Sequence, residues 1–96
     1  MKGWEYDVLS PIYTKRFEKD VKRAVSRGMD KELLKEVIRK IILQEPLHEV
    51  YRDHSLVGNY RDRRECHIQS DWLLVYKIEK AEVVFERTGS HSDLFR

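Results

Sequence analysis

Three strand-like segments separated by very short turns constrain the fold of this chain more than any other feature. They run from Tyr60 to Ile68, from Asp71 to Ile78 and from Glu82 to Arg87. Only Gln69-Ser70 and Glu79-Lys80-Ala81 separate them, and turns of two or three residues join neighbouring strands antiparallel. In the middle segment, apolar residues occupy both alternating sets of positions, so both of its faces should be largely covered. The second half of the sequence therefore predicts an antiparallel sheet.

The first half shows a helical period instead. Ser10-Pro11 predicts a helix start, with Ser10 as N-cap and Pro11 at the first helical position, and Gly28 suits the residue after that helix. Asp30 can cap a second helix, which Pro46 stops. The alternation from Trp4 to Leu9 predicts a short first strand. The expected fold is α+β, a helical hairpin packed on a four-stranded antiparallel sheet, in one domain over residues 1–96.

The chain has the size and composition of one globular domain. It has 96 residues, of which 41% are apolar and 38% charged. No apolar run approaches the roughly 18–20 residues that span a bilayer, and the first residues lack the apolar core of a signal peptide. The single cysteine, Cys66, fits a reducing compartment. We therefore expect a cytoplasmic protein without a membrane partner.

Basic side chains are concentrated on the first predicted helix. The net charge is only +2, but residues 15–27 carry six basic side chains and two acidic ones. The acids are Glu18 and Asp20, and the basic residues are Lys15, Arg16, Lys19, Lys22, Arg23 and Arg27. Such a face can bind a phosphate backbone, or it is simply the solvated side of the helix.

Three of the four histidines lie in the second half of the chain, next to acids and arginines. With their neighbours they form one candidate catalytic set: His54, His67, Asp71, Arg87 and His91. Cleavage of RNA by attack of the ribose 2′-hydroxyl needs a base, an acid for the leaving 5′-oxygen and positive charge for the phosphorane. Two imidazoles can act as base and acid, each contributing roughly 10²–10⁴-fold. An arginine supplies the charge, and an aspartate can fix the tautomer of an imidazole. The pattern therefore points to phosphoryl chemistry.

Each of these residues also has a purely structural interpretation. His54 can be an ordinary loop histidine, and His67 can lie on a solvated strand face. Arg87 can form a salt bridge with Glu86 or Asp71. The histidines are also zinc ligand types, but their spacing matches no common zinc motif. The sequence also has no Gly-rich phosphate loop and no Gly-x-Ser-x-Gly elbow, so it does not support nucleotide hydrolysis or serine hydrolase chemistry. No metal or other cofactor is predicted.

Aromatic and arginine side chains near the histidines are candidate substrate contacts. Trp72 or Phe95 could stack on an unpaired base, although Trp72 fits a core position better than a stacking surface. Arg61 and Arg63 share a strand face with His67, and we predict that both contact the substrate.

An ordered series of motifs in this chain resembles one known family. The motifs are Tyr51-Arg52-Asp53-His54-Ser55-Leu56, Gly58, Tyr60-Arg61-Asp62, His67-Ile68, Asp71-Trp72-Leu73-Leu74-Val75-Tyr76-Lys77, Phe85-Glu86-Arg87-Thr88-Gly89-Ser90-His91 and Leu94-Phe95. They resemble the YafQ-type toxins of toxin–antitoxin modules, a branch of the RelE superfamily of ribosome-dependent mRNA interferases. The resemblance covers essentially the whole chain and is sharp from Tyr51 onward. Two departures are visible, since Ser55 stands where proline is familiar and the segment before His67 is longer and more charged than usual.

This resemblance implies a RelE-like fold and an endoribonuclease that cuts mRNA in the A site of the 30S ribosomal subunit. The family's catalytic positions fall on the candidate set above, with Trp72 and Phe95 shaping the site. His54 is then expected to be the general base, His91 the general acid and Arg87 the phosphate stabiliser, although base and acid can be exchanged. The residues expected to grip ribosomal RNA are Lys15, Arg16, Lys19, Lys22 and Arg23. A cognate antitoxin would neutralise the toxin, and the chain would meet operator DNA only through that antitoxin.

Two other interpretations of the sequence stay open. ParE-type proteins share the superfamily fold but inhibit DNA gyrase by binding it, and a pure binder needs no set of histidines and aspartate. A degenerate member would bind an antitoxin without cleaving RNA. The cellular response distinguishes these functions, because DNA damage indicates gyrase inhibition and translation arrest with cut mRNA indicates an interferase.

Overall fold

Five strands form one sheet, and helices cover it on both faces. The computed structural model describes residues 8–95. The strands are β1 (Ser10–Tyr13), β2 (His54–Ser55), β3 (Arg64–Gln69), β4 (Trp72–Glu79) and β5 (Glu82–Gly89). Their spatial order is β1-β5-β4-β3-β2, with β1 parallel to β5 and every other pair antiparallel. The predicted α+β class and the meander of β3, β4 and β5 are confirmed.

Two long helices and one short helix accompany the sheet. They are α1 (Lys15–Ser26), α2 (Lys31–Ile42) and α3 (His91–Leu94), and two 3₁₀ turns span Glu49–Tyr51 and Gly58–Tyr60. As predicted, the Asp30 side chain caps α2 by accepting from the Glu32 N–H at 2.9 Å. Gly28 follows α1 with φ +89°, the left-handed conformation that suits glycine after a helix.

The prediction for the start of α1 is wrong. The helix begins at Lys15 rather than Pro11, and Thr14 is its N-cap, accepting from the Phe17 N–H at 2.9 Å. Residues 10–13 instead pair with residues 82–85 of β5. Local propensity could not show this pairing, because the partners lie some seventy residues apart. Pro11 is tolerated there because β1 is an edge strand.

The observed strands differ from the predicted ones in number and in some of their limits. The strand predicted from Trp4 to Leu9 falls mostly outside the described residues, and the strand nearest to it is β1. A short strand, β2, is added at the other edge of the sheet. The strand predicted from Tyr60 begins only at Arg64, because Gly58–Tyr60 form a 3₁₀ turn.

Alternating residues of β4 face two separate apolar clusters. Trp72, Leu74 and Tyr76 belong to the main core under α1 and α2, which also contains Phe17, Leu34, Val37, Ile41, Cys66, Val83 and Phe85. Leu73 and Val75 form a smaller cluster with Leu94 of α3 on the opposite face. Both faces of this strand are therefore covered, as its sequence predicts. None of the helices within residues 8–95 is long and apolar enough to cross a membrane.

Candidate active site

Three histidines from three different elements lie in a row on the sheet face opposite α1 and α2. The His54 and His67 ring centroids are 6.3 Å apart, and those of His67 and His91 are 5.9 Å apart. His67 alternates along β3 with Cys66 and Ile68, which belong to the main core, so its side chain points away from the long helices. The structure thus brings together histidines that are 37 residues apart between the first and the last.

Asp71 fixes the position of His91. One carboxylate oxygen, Oδ1, accepts from the His91 backbone N–H at 2.9 Å and lies 3.0 Å from Nδ1 of the same residue. The backbone hydrogen bond and then the ring hydrogen bond lower the pKa of the Asp71 carboxyl below its usual value. A carboxylate can only accept, so Nδ1 carries the proton and Nε2 remains for a reacting group.

The short helix that carries His91 is held by its own cap. Ser90 and Asp93 form a capping box, in which each side chain accepts from the other residue's backbone N–H. Arg27, the C-cap residue of α1, donates to the Asp93 carboxylate at 2.8 Å. Gly89 precedes the cap, and a Cβ there would lie 2.9 Å from Asp93 Oδ2. These contacts place His91 against the hairpin turn that contains Asp71.

His54 lies between two hydrogen-bond acceptors. Its Nδ1 is 2.6 Å from the Arg52 carbonyl oxygen, and its Nε2 is 3.3 Å from Glu65 Oε1. Arg52 has a left-handed backbone (φ 50°, ψ 42°), which ends the preceding 3₁₀ turn. The carbonyl oxygen therefore accepts a hydrogen bond from Nδ1–H, and Nε2 faces the Glu65 carboxylate.

The residue before His54 is anchored to the sheet. Asp53 accepts from the Tyr76 hydroxyl at 2.6 Å and from Nη2 of Arg64 at 3.1 Å. Arg64 also donates to the Ser55 hydroxyl at 2.9 Å. This network fixes both neighbours of His54, which belongs to a strand of only two residues.

Glu65 is a site residue that the sequence interpretation missed. Its side chain is 6% exposed, and its Oε1 is 3.3 Å from His54 and 3.6 Å from His67. A single buried carboxylate thus lies within ion-pair distance of both imidazoles. The signal was present in the sequence, since Glu65 and His67 are two residues apart on one strand and must share a face.

Arg87 is held by a buried aspartate. Its Nε donates to Asp20 Oδ2 at 2.7 Å, and its Nη2 is 3.4 Å from the other oxygen. Asp20 is only 4% exposed and also accepts from the Thr88 N–H and from Arg23. In the sheet register Arg87 lies opposite Val75, whose side chain is on the histidine face. The backbone therefore places Arg87 on the histidine face, while its guanidinium reaches α1.

Two charge assignments from the sequence are corrected here. The salt-bridge partner of Arg87 is neither Glu86 nor Asp71 but Asp20. Asp20 is also not a surface acid of α1. It stands three residues after Phe17 and four before Ala24, both buried, so it lies on the helix face that meets the sheet.

Of the two predicted stacking residues, only Phe95 is accessible. Trp72 is 1% exposed, and its indole N–H donates to Thr88 Oγ1 at 2.9 Å, so it is a core residue and offers no stacking surface in this structure. Phe95 is 37% exposed and lies 6.4 Å from the His91 ring. Tyr60, which the sequence interpretation did not single out, meets Phe95 edge to face at 5.3 Å.

The two predicted substrate-contacting arginines differ in their surroundings. Arg63 donates to Glu86 from both Nε and Nη2, at 2.5 and 3.2 Å. Arg61 is exposed, and its side chain has no hydrogen bond or ion pair within residues 8–95. Arg61 is thus the better placed of the two to meet an added phosphate.

The predicted basic face exists on α1. Lys15, Arg16, Lys19 and Lys22 are exposed and form no ion pair with the described part of the chain. Arg23 differs, because Asp20 and Asp93 lie 3.0 and 3.9 Å from its Nη2. Over the same described range, no group of three or more His, Cys, Asp or Glu side chains could hold a metal ion.

Comparison with known proteins assigns the family. Residues 9–96 match the model of the bacterial toxin of type II toxin–antitoxin systems, YafQ. This chain belongs to the YafQ toxin family. It is 40% identical over 84 residues to the mRNA interferase toxin YafQ of Escherichia coli strain K12, covering 86% of this chain and 91% of that protein.

Solved structures of YafQ proteins share the fold. A crystal structure of YafQ from E. coli BL21(DE3) has a TM-score of 0.88 at 37% identity and covers 92% of this chain and 99% of its own. YafQ in the E. coli DinJ–YafQ toxin–antitoxin complex has a TM-score of 0.85 at 38% identity, with coverage of 92% and 98%. The expected YafQ family is therefore confirmed, and the α+β fold is that of the solved YafQ structures.

Proposed function

We propose that this chain is an endoribonuclease that cuts mRNA in the ribosomal A site by attack of a ribose 2′-hydroxyl on the adjacent phosphate. The observation that carries the proposal is the row of three imidazoles, one of which has its Nδ1 bound to Asp71 and its Nε2 available. A pure binding toxin does not need this arrangement. The name of the E. coli relative, an mRNA interferase toxin, agrees with it.

The contacts of the two outer histidines favour one order of proton transfer. His91, with Nδ1–H donated to Asp71, presents the Nε2 lone pair and suits the base that takes the 2′-hydroxyl proton. His54 has an acceptor at each ring nitrogen, so its imidazolium form has both N–H groups paired and suits the acid. The O2′–P bond then forms, the P–O5′ bond breaks, and His54 protonates the leaving oxygen. In this order His91 is the base and His54 the acid, which is the alternative assignment that the sequence left open.

Arg87 and His67 complete the proposed chemistry. Asp20 occupies Nε and Nη2 of Arg87, while Nη1 makes no hydrogen bond within residues 8–95 and can meet the phosphorane. His67 lies between the outer histidines and shares Glu65 with His54, so it positions the substrate or the acid.

The ribosome would position the mRNA substrate for this small enzyme. Holding the mRNA in register makes the cleavage effectively unimolecular. Four exposed basic side chains of α1, which form no ion pair within residues 8–95, would contact ribosomal RNA phosphates; they are Lys15, Arg16, Lys19 and Lys22. This function places the protein in the cytoplasm. A cognate antitoxin is expected to bind it, as DinJ does in the DinJ–YafQ complex, and to provide its link to operator DNA.

The decisive test is cleavage of a translated mRNA mapped by primer extension. His91→Gln should abolish discrete cuts that the wild type produces. The matched control is His48→Gln, because His48 is the histidine outside the row and caps a 3₁₀ turn through Nδ1. Growth arrest by wild type and His91→Gln alike, with intact mRNA, would refute the proposal and favour a binding toxin that acts on gyrase.

The order of proton transfer has its own test. An mRNA with sulphur in place of the bridging 5′-oxygen has a leaving group that needs no acid. His54→Gln should regain much of its lost rate on that substrate, whereas His91→Gln should not. If His91→Gln regained its rate instead, His91 would be the acid and His54 the base, as first expected from the sequence.

A further inference from the structure

A cavity opens beside the middle histidine of the row. Its volume is about 300 Å³, and it lies between the 3₁₀ turn Glu49–Tyr51 and the end of β3. Val50, Tyr51 and Arg52 line one side, and the segment from His67 to Ser70 lines the other. Small-molecule sites span roughly 300–1,000 Å³, so this cavity suits a ligand of the size of a single nucleobase.

The cavity walls combine apolar surface with unpaired polar groups. Ile68 is buried, and Tyr51 packs against the main core. The side chains of Arg52, Gln69 and Ser70 have no hydrogen bonds to other described residues. An apolar cavity with a few convergent polar groups is the usual form of a ligand site.

The end of β3 is irregular where it borders this cavity. The register with β4 shifts between His67 and Gln69, so that Gln69 pairs with Trp72 while His67 pairs with Leu73. Such a bulge bends the strand and re-aims its side chains, and bulges are frequent next to active sites. The irregularity therefore brings the Gln69 amide to the rim of a cavity that His67 also lines.

We propose that this cavity binds the base of a nucleotide next to the cleaved bond, and that Gln69 determines which base is preferred. The proposal rests on the proposed ribonuclease function. Tyr51 supplies an aromatic ring on which a base can stack. The Gln69 amide offers both a donor and an acceptor, which can pair with the edge of a base in two hydrogen bonds. The exposed guanidinium of Arg52 would pair with a neighbouring phosphate.

The test compares base preferences rather than activity alone. A translated mRNA library with randomised codons is cut by the wild type, Gln69→Ala and Gln69→Glu, and the 5′ ends of the fragments are sequenced. Gln69→Ala should reduce the preference ratio at one position beside the cut by about tenfold, since it loses both hydrogen bonds. Gln69→Glu keeps the acceptor and loses the donor, so it should change the preferred base.

The control variant is Glu82→Ala. Glu82 is exposed and is the first residue of β5, where it pairs with Glu79, at the opposite end of β4 from Trp72, the partner of Gln69. This variant should reproduce the wild-type profile. Unchanged preferences in both Gln69 variants, with the wild type cutting normally, would overturn the base-binding proposal and leave the ribonuclease function standing. Absence of cutting by the wild type would overturn the function itself, so the two failures are distinguishable.

Discussion

Replacing Asp20 by alanine should destabilise the protein strongly, because this buried carboxylate joins α1 to β5. It is 4% exposed and accepts from Arg87 at 2.7 and 3.4 Å, from the Thr88 N–H at 3.1 Å and from Arg23 at 3.0 Å. The variant leaves a guanidinium and a buried backbone N–H without their acceptor. An unsatisfied buried group costs about 1–3 kcal/mol, and breaking a buried ion pair costs about 3–5 kcal/mol.

The expected loss in the free energy of unfolding is about 3 kcal/mol, at the lower end of the ion-pair range. The reason is that the Arg87 and Arg23 side chains are 15% and 39% exposed, so that water replaces part of the lost interaction. For a domain of this size, that loss lowers Tm by about 12–24 °C. Urea unfolding followed by circular dichroism measures it directly, with the slope m expected to stay constant.

Two further variants separate this contact from a general effect of charge. Glu18→Ala removes an exposed acid from the same helix and should cost less than about 1 kcal/mol. A double-mutant cycle between Asp20→Ala and Arg87→Ala should give a coupling of at least about 1 kcal/mol. A loss below about 1 kcal/mol for Asp20→Ala, or two strictly additive effects, would refute the role assigned to this carboxylate.

Three other predictions concern the site and its supports. Asp71→Asn should lower kcat about 100-fold with little change in KM, because His91 loses the carboxylate that orients its ring. The Ser90 backbone N–H and then Arg27 lower the pKa of Asp93 to about 2, below its usual value of 3.8. Its contribution of about 1 kcal/mol is therefore complete above about pH 4 and is lost as the pH falls towards 2, so urea unfolding of the wild type and Asp93→Asn should converge over that window. Trp72→Phe should cost about 1–3 kcal/mol of stability without changing the cleavage rate per folded molecule, whereas Phe95→Ala should lower kcat/KM roughly 5–100-fold at unchanged stability.

One variant serves as the control for both aspartate predictions. Asp62 is exposed and has φ 72°, a conformation that asparagine adopts readily, so Asp62→Asn should leave kcat and the pH dependence of unfolding unchanged. Wild-type cleavage by Asp71→Asn would remove that residue from the mechanism. A constant stability difference between pH 4 and 2 would contradict the role of Asp93. A slower but fully stable Trp72→Phe would show that this ring meets the substrate.

The elements that the sequence predicted well are those with local signals. Asp30 marks the start of α2 by a side-chain cap, and the turns at Ser70 and Lys80 leave neighbouring strands only one way to pair. The alternation within β4 predicted that both of its faces are covered. Each of these depends on interactions between residues close in the chain.

The missed features depend on contacts between distant parts of the chain. Ser10-Pro11 has the local form of a helix start, and only its pairing with β5 makes it a strand. Charge counting treated Asp20 only as an acid that offsets the basic residues of α1, although its spacing from Phe17 puts it on the buried face. For the histidines, the sequence grouped Asp71 with His91 in one candidate set, and the two are in contact, but it did not predict that Glu65 lies between His54 and His67.

The two edges of the sheet also bear on how the protein behaves at high concentration. An exposed strand edge presents unpaired N–H and C=O groups, and another chain can pair with it and start aggregation. Here one edge is β1, four residues long and interrupted by Pro11, which has no N–H to donate; the other is β2, two residues long. Within residues 8–95, neither edge offers a length of backbone sufficient to template a further strand. The Ser10-Pro11 segment, which resembled a helix start in the sequence, thus helps to protect this edge of the folded protein from edge-to-edge polymerisation.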